Sequence, residues 1–203
     1  MPVARTKGKA QFSPKGMGKV KTNNTHHTLK VNMRVDLIRS LGKDKIKALD
    51  AFAGEGVVWK SVQEQLPDVE IELLRIDKGH YTTPDVIVGD NRKVMPSLNL
   101  AEFDLIDLDA WGIPQDQLRL CAERAPGVPV VATCIMYPLT PIPRLVQAAG
   151  IPKDWTDHTK YGLVLFARWQ LEWWDNFCAV LGYTRTTRHI YRGNKTKVYQ
   201  ILW

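Results

Sequence analysis

ALDAFAGEG, residues 48–56, joins a short apolar run that ends at Asp50 to a loop with glycines at positions 54 and 56. A buried parallel strand gives such a run. The two glycines let a ligand approach the backbone where the next helix opens, with its first amides pointing outward. The stretch therefore predicts a strand, a ligand-binding loop and a helix, in that order.

On either side of this stretch, apolar runs alternate with segments of helical periodicity. They predict helices at 32–41, 57–66 and 161–181, strands at 46–52, 69–76, 86–88, 103–108 and 128–135, and a hairpin whose turn lies at 192–195. Strands that alternate with helices are typical of an α/β fold. We expect an open, mostly parallel sheet of about seven strands, with helices on both faces and a C-terminal antiparallel hairpin.

The composition is that of an ordinary globular domain. The 203 residues are 44% hydrophobic and 24% charged, which excludes a mainly disordered chain, a collagen and a disulfide-rich miniature. We find no apolar run long enough to cross a membrane and no secretory signal, so we expect no membrane association and a cytoplasmic location. Cys121, Cys134 and Cys178 lie far apart in apolar runs, which indicates packing residues and predicts no metal site.

Positive charge is concentrated at the N-terminus. The first 35 residues hold eight Lys or Arg and no acidic residue, whereas the rest of the chain is nearly neutral. Residues 1–30 are polar and lack apolar periodicity, so we interpret them as a flexible basic arm before a single domain at 31–203. Such an arm favours polyanions, nucleic acid above all; a solubilising tail, or one that docks on its own domain, is the alternative.

Polar residues follow the predicted strands at the edge where such sheets bind ligands. Asp77 lies 21 residues after Gly56, about the offset at which an acid reaches ribose hydroxyls in nucleotide folds. Trp59 stands where a dinucleotide fingerprint has a small residue, and the loop lacks the lysine of a phosphate cradle. The pattern therefore favours a ligand with an adenosine group and no phosphates.

Four blocks, ALDAFAGEG, LLRIDKG, VGDN and FDLIDLDAWGIP, resemble those of class I S-adenosylmethionine-dependent methyltransferases. The last block, followed by VPVVATCIM, is most similar to that of the guanine-N2 methyltransferases of transfer RNA. The resemblance implies a Rossmann-like fold, S-adenosylmethionine as cofactor, and transfer to an exocyclic amino group of a nucleic-acid base. RNA is favoured as the substrate.

The resemblance also implies roles for individual residues. Asp109 and Trp111 would be catalytic, the first accepting a hydrogen bond from the amine and the second stacking on the base. Ala110 departs from the family, which has proline there. The residues expected to bind the cofactor are Asp50, Phe52, Gly54, Glu55, Gly56, Asp77, Lys78, Asp90, Asn91 and Asp107.

Several alternatives stay open at this point. Asp107 and Asp109 share one face of a strand, where they repel unless one is paired or protonated, and one of them could instead cap a helix. Trp111 could be a packed turn residue. The protein could also be a DNA amino-methyltransferase, or a catalytically inactive cofactor-binding protein that binds nucleic acid or regulates.

Overall fold

The computed structural model describes residues 26–79, 85–136, 160–192 and 195–203, with the side chains of 160–169 excepted. Its elements confirm the predicted order of strands and helices. In chain order they are α1 His27–Leu41, β1 Lys45–Asp50, α2 Val57–Gln65, β2 Glu70–Asp77, β3 Val86–Val88, α3 Asn91–Val94, β4 Leu105–Asp109, α4 Gln115–Arg124, β5 Val130–Met136, α5 Lys160–Val180, β6 Arg185–Arg192 and β7 Thr196–Leu202.

The seven strands form one sheet in the order β3-β2-β1-β4-β5-β7-β6. The first five strands pair in parallel, whereas β7 pairs antiparallel with both β5 and β6. This confirms the open, mostly parallel sheet with a C-terminal hairpin. Strand order reverses between β1 and β4, and in open α/β sheets ligands bind at such a reversal.

Helices cover both faces of the sheet, as predicted. On one face, Ile38 of α1 and Trp59 of α2 pack against a cluster that includes Ala48 of β1. On the other face, Leu118 of α4 and Trp174 of α5 pack in a second cluster. The two apolar clusters hold the helices against the two faces of the sheet.

Helix α1 begins at His27, five residues before the start that the periodicity predicts. Residues 27–30, which the charge pattern assigns to the basic arm, are therefore helical. The extra turn is held by polar contacts that an apolar pattern cannot show, since a His27 ring nitrogen lies 3.2 Å from the Ser61 hydroxyl. Residues 1–25 lie outside the described part of the chain.

The three cysteines are buried and unpaired, in line with their interpretation as packing residues. In α5, Trp174 is fully buried and Trp173 is partly buried against the second cluster. The Trp169 side chain and the proline-rich stretch at 137–143 lie outside the described residues. No helix in the described ranges is long and apolar enough to cross a lipid bilayer.

Candidate active site at the carboxyl edge of the sheet

Strand register brings the predicted site residues to one edge of the sheet. Asp50 of β1 is aligned with Asp107 of β4, and both lie at or near the carboxyl ends of their strands. Asp77 ends β2 and is aligned with Val88, two residues before Asp90. The acids predicted to form the site therefore follow neighbouring strands along a single rim.

The loop between β1 and α2 is shaped by two glycines in the left-handed region, Gly54 with φ 50° and Gly56 with φ 74°. Residues with a side chain rarely adopt this conformation. The Asp77 carboxylate holds the loop, because one oxygen accepts the Gly54 N–H at 2.8 Å and the other accepts the Gly79 N–H at 2.8 Å. Each oxygen has two lone pairs, so each keeps one for a ligand.

Asp90 and Lys78 link the ends of β2 and β3 by an ion pair of 3.0 Å. Asp90 also caps α3 by accepting the Arg92 N–H, and it pairs with the Arg92 guanidinium. These contacts hold the pKa of Asp90 far below its usual value, with Arg92 the largest cause. Asp90 is therefore ionised and can accept a further hydrogen bond at the rim.

Asn91 lies beneath this rim and is buried. Its amide N–H donates to the Ala51 carbonyl at 2.7 Å, and its amide oxygen accepts from Gln117 at 2.7 Å. The side chain thus joins the loop after β1 to helix α4. These contacts support a positioning role for Asn91, and its direct contact with the cofactor stays a prediction.

Asp107 accepts hydrogen bonds from side chains of α1 and α2. Arg34 donates two hydrogen bonds of 2.6 Å to its carboxylate, and the Trp59 indole N–H donates a third at 2.9 Å. Arg34 and Asp107 are each 1% exposed. Burial raises the pKa of Asp107, and the Arg34 charge opposes that shift. The pair supports a structural role, in which α1 is fixed against the end of β4.

Asp109 lies two residues further along β4 on the same face, at the mouth of the site. Its carboxylate accepts a hydrogen bond of 2.7 Å from Lys30 and lies 3.9 Å from Arg34. Burial would raise the pKa of Asp109, but Arg34, Lys30 and a Thr133 hydrogen bond outweigh it and hold the pKa below its usual value. The expected repulsion between Asp107 and Asp109 is thus relieved by one cation for each.

Asp50 has a different environment. It is buried, and its carboxyl accepts the Phe52 N–H at 3.3 Å. Burial, followed by the nearby Asp107 carboxylate, raises the pKa of Asp50 well above its usual value. The Phe52 side chain packs partly into the core, whereas Glu55 is exposed on the glycine loop. Asp50 is therefore harder to ionise than an exposed carboxyl group.

The turn after β4 presents an aromatic surface. The Ala110 N–H donates to the Leu108 carbonyl at 2.8 Å, which closes a three-residue turn around Asp109. Proline has no N–H and could not form this bond, so alanine at position 110 suits this turn. Trp111 follows, is 47% exposed, and has the Lys195 ammonium 4.3 Å from its ring centroid. The alternative of a buried turn residue is thereby disfavoured.

Three residues that organise the site are missing from the prediction made from sequence. Lys30 and Arg34 are one helical turn apart on α1 and neutralise the two carboxylates of β4. That spacing of two basic residues was the available signal. From the sequence, Trp59 was used only as evidence against a dinucleotide-binding loop. In the structure, its indole N–H donates a hydrogen bond to Asp107.

Nothing in the described ranges suggests a metal centre. Within residues 26–79, 85–136, 160–192 and 195–203, no three His, Cys, Asp or Glu side chains form a group suited to a metal ion. Asp90, Asp107 and Asp109 of the rim are instead paired with basic side chains.

The chain matches no protein-family model and no functionally curated protein. Among solved structures it is similar to MnmC2 from Aquifex aeolicus, with 16% identity over 81% of this chain and 55% of that chain, at a TM-score of 0.43. It thus spans about half the length of that protein.

Two other likenesses have TM-scores of 0.51. A Streptococcus thermophilus protein described as a hemolysin is 14% identical, over 93% of this chain and 68% of that chain. The 1,6-didemethyltoxoflavin-N1-methyltransferase of Burkholderia thailandensis, solved with 1,6-didemethyltoxoflavin and S-adenosylhomocysteine, is 10% identical over 89% of this chain and 79% of that chain. These likenesses show a Rossmann-like fold shared with methyltransferases. Since one fold serves many activities, function must be argued from the site.

Proposed function

We propose that this chain is an S-adenosylmethionine-dependent methyltransferase that acts on an exocyclic amino group of a nucleic-acid base, in RNA by preference. One observation carries the proposal. A carboxylate, Asp109, ends β4 at the same edge of the sheet as the glycine loop held by Asp77, and an exposed aromatic ring, Trp111, follows two residues later.

The residues of the rim fit the cofactor. The free lone pairs of Asp77 suit the two hydroxyls of a ribose, and ionised Asp90 suits an adenine amino group. Because Gly54 and Gly56 lack side chains, a ligand can reach the backbone at the start of α2. S-adenosylmethionine would supply a methyl group on a positively charged sulfur, which is already electrophilic.

Asp109 suits the role of hydrogen-bond acceptor for the amine. An exocyclic amine is a poor nucleophile, because its lone pair is delocalised into the base. A carboxylate that accepts its N–H raises electron density on nitrogen and stabilises the positive charge that develops there. The lowered pKa of Asp109 keeps it ionised at neutral pH and makes it a weak base, so we expect the released proton to pass to water.

Trp111 suits the role of a base platform. The Lys195 ammonium lies 4.3 Å from its ring centroid and the residue is 47% exposed, so part of the ring is open to a base. Stacking of a base on an aromatic side chain is worth about 1–3 kcal/mol. The nearby cation adds attraction for a phosphate. The pairing of ring and ammonium therefore favours a nucleic acid over a small neutral acceptor.

The proposed basic arm is limited to residues 1–25, because residues 27–30 belong to α1. Lys30 and Arg34 neutralise Asp109 and Asp107 and so do not contribute to polyanion binding. Six Lys or Arg precede them in residues 1–25. We propose that these six bind the phosphate backbone of the substrate.

The test is methyl incorporation from radiolabelled S-adenosylmethionine into separate pools of transfer RNA, ribosomal RNA, DNA and protein, followed by nucleoside analysis. We expect label on an amino group of a base in RNA, and a Trp111→Ala variant should label that RNA at least about fivefold more slowly, given the stacking energy. If only DNA became labelled, RNA would be the wrong substrate and the DNA amino-methyltransferase alternative would be favoured. Cofactor binding without transfer to any pool would favour the inactive, regulatory alternative.

A further inference from the structure

Arg75 of β2 is a buried cation that the proposed chemistry does not use. It is 8% exposed, and its guanidinium lies against the glycine loop. A Cβ added at Gly56 would come within 2.6 Å of the Arg75 Cζ, so glycine at that position makes room for the guanidinium. The side chain is thus enclosed at the ligand-binding edge.

The hydrogen bonds of Arg75 are few. One terminal nitrogen donates to the Gly54 carbonyl at a long 3.4 Å, and the buried Nε has no hydrogen-bond partner. No acidic side chain within the described segments forms an ion pair with it. Its neighbour in register on β1 is Asp50, which forms no ion pair with it and which burial makes harder to ionise.

Arg34 provides the comparison within this chain. It is also buried, and it has a carboxylate, Asp107, that accepts two hydrogen bonds of 2.6 Å. Burial of a charge is unfavourable unless an opposite charge and hydrogen bonds compensate it. Compared with Arg34, Arg75 is a buried hydrogen-bond donor for which the described part of the chain provides no carboxylate partner.

The start of α2 adds a second positive feature to the same loop. The helix spans nine residues, no side chain caps it, and its first turn contains no acidic residue. The N-terminus of a helix carries a partial positive charge and free N–H groups, which favour an anion. Arg75 and this helix end therefore both point to a negatively charged group at residues 54–57.

We infer that Arg75 binds the carboxylate of the methionine portion of S-adenosylmethionine. The inference rests on the proposed function. A phosphate of the nucleic acid could also pair with a guanidinium. Arg75 is only 8% exposed, which favours the end of a small molecule held by the glycine loop over a polymer backbone. The site is therefore suited to the free carboxylate of a small molecule.

The test compares two ligands that differ only in this group, S-adenosylmethionine and its decarboxylated form, by calorimetric titration of the wild-type protein and Arg75→Met. We expect Arg75→Met to weaken binding of S-adenosylmethionine by roughly 10–100-fold, as for the loss of a charged hydrogen bond, and binding of the decarboxylated ligand hardly at all. Arg75→Lys, which keeps the charge at shorter reach, should give an intermediate loss. Arg39→Met, at an exposed site in α1, is the matched control and should bind both ligands normally.

Thermal unfolding without ligand separates binding from structure. Removing a buried cation without a counter-ion should leave the unfolding temperature unchanged or raise it. A lowered unfolding temperature together with equal losses for both ligands would make Arg75 structural and overturn the inference. If the wild-type protein fails to bind S-adenosylmethionine, the proposed function fails with it.

Discussion

Asp109→Asn is expected to lower the rate of methyl transfer by about 10²–10³, the usual cost of losing one preorganised electrostatic contact in a transition state. The affinity for S-adenosylmethionine should not change, because the proposed function assigns Asp109 to the acceptor and not to the cofactor. Asparagine keeps the shape of the side chain but not its charge, so it cannot stabilise the cation that forms on the amine. Single-turnover transfer and calorimetric binding measure the two quantities separately.

The contact between Lys30 and Asp109 allows a second test of the role of Asp109. The Lys30 ammonium contacts Asp109 at 2.7 Å and contributes to the lowered pKa of that carboxyl. If Asp109 acts as an ionised acceptor, the acid limb of the transfer rate should lie at a higher pH in Lys30→Met than in the wild-type protein, because that variant lacks one of the cations that lower the pKa of Asp109. An Asp109→Asn variant with undiminished transfer, or with weakened cofactor binding in proportion, would contradict the assigned role.

Arg34→Met is expected to lower the free energy of unfolding at pH 7 by about 3–5 kcal/mol, because it leaves the buried Asp107 carboxylate without its partner. Urea unfolding measures the effect. Arg39→Met is the matched control on the same helix, where an exposed substitution should change stability by no more than about 0.5 kcal/mol. Adding Asp107→Leu to Arg34→Met should recover much of the loss, since the unpaired charge is then removed.

The loss in Arg34→Met should depend on pH in a defined direction. Without Arg34, burial raises the pKa of Asp107 in the folded state further above its value in the unfolded chain. The folded state then binds more protons, so the variant loses stability as pH rises from about 4 towards 7. In acid, Asp107 is protonated in both states and the difference from wild type should shrink. A loss that is small, or that grows in acid, would contradict the assigned pair.

The strands, and the acidic residues that follow them, could be predicted from the sequence alone. Apolar runs predict buried parallel strands, and the carboxyl ends of parallel strands meet at one edge, so Asp50, Asp77 and Asp109 could be placed together from the order of the strands alone. The convergence of these residues is confirmed by the register. Their roles toward a ligand remain proposals.

The basic partners of the site could not be predicted in the same way. Arg34 interrupts the apolar face of α1 and is buried only because Asp107 lies opposite it on a strand 73 residues later. Likewise, Arg75 occupies an inward position of β2 that a hydrophobic pattern assigns to an apolar residue. Such positions depend on tertiary contacts, and local periodicity contains no information about them.

The central claim is that this rim binds S-adenosylmethionine, and calorimetric titration of wild-type protein and Asp77→Ala with that ligand tests it most directly. We predict one site per chain in the wild-type protein and an affinity at least about tenfold lower in Asp77→Ala, which loses both the acceptors proposed for the ribose and the hydrogen bonds that hold the glycine loop. An exposed acid outside the rim, Asp68→Ala, serves as control and should bind normally. No binding to the wild-type protein, or equal affinity in Asp77→Ala, would contradict the claim.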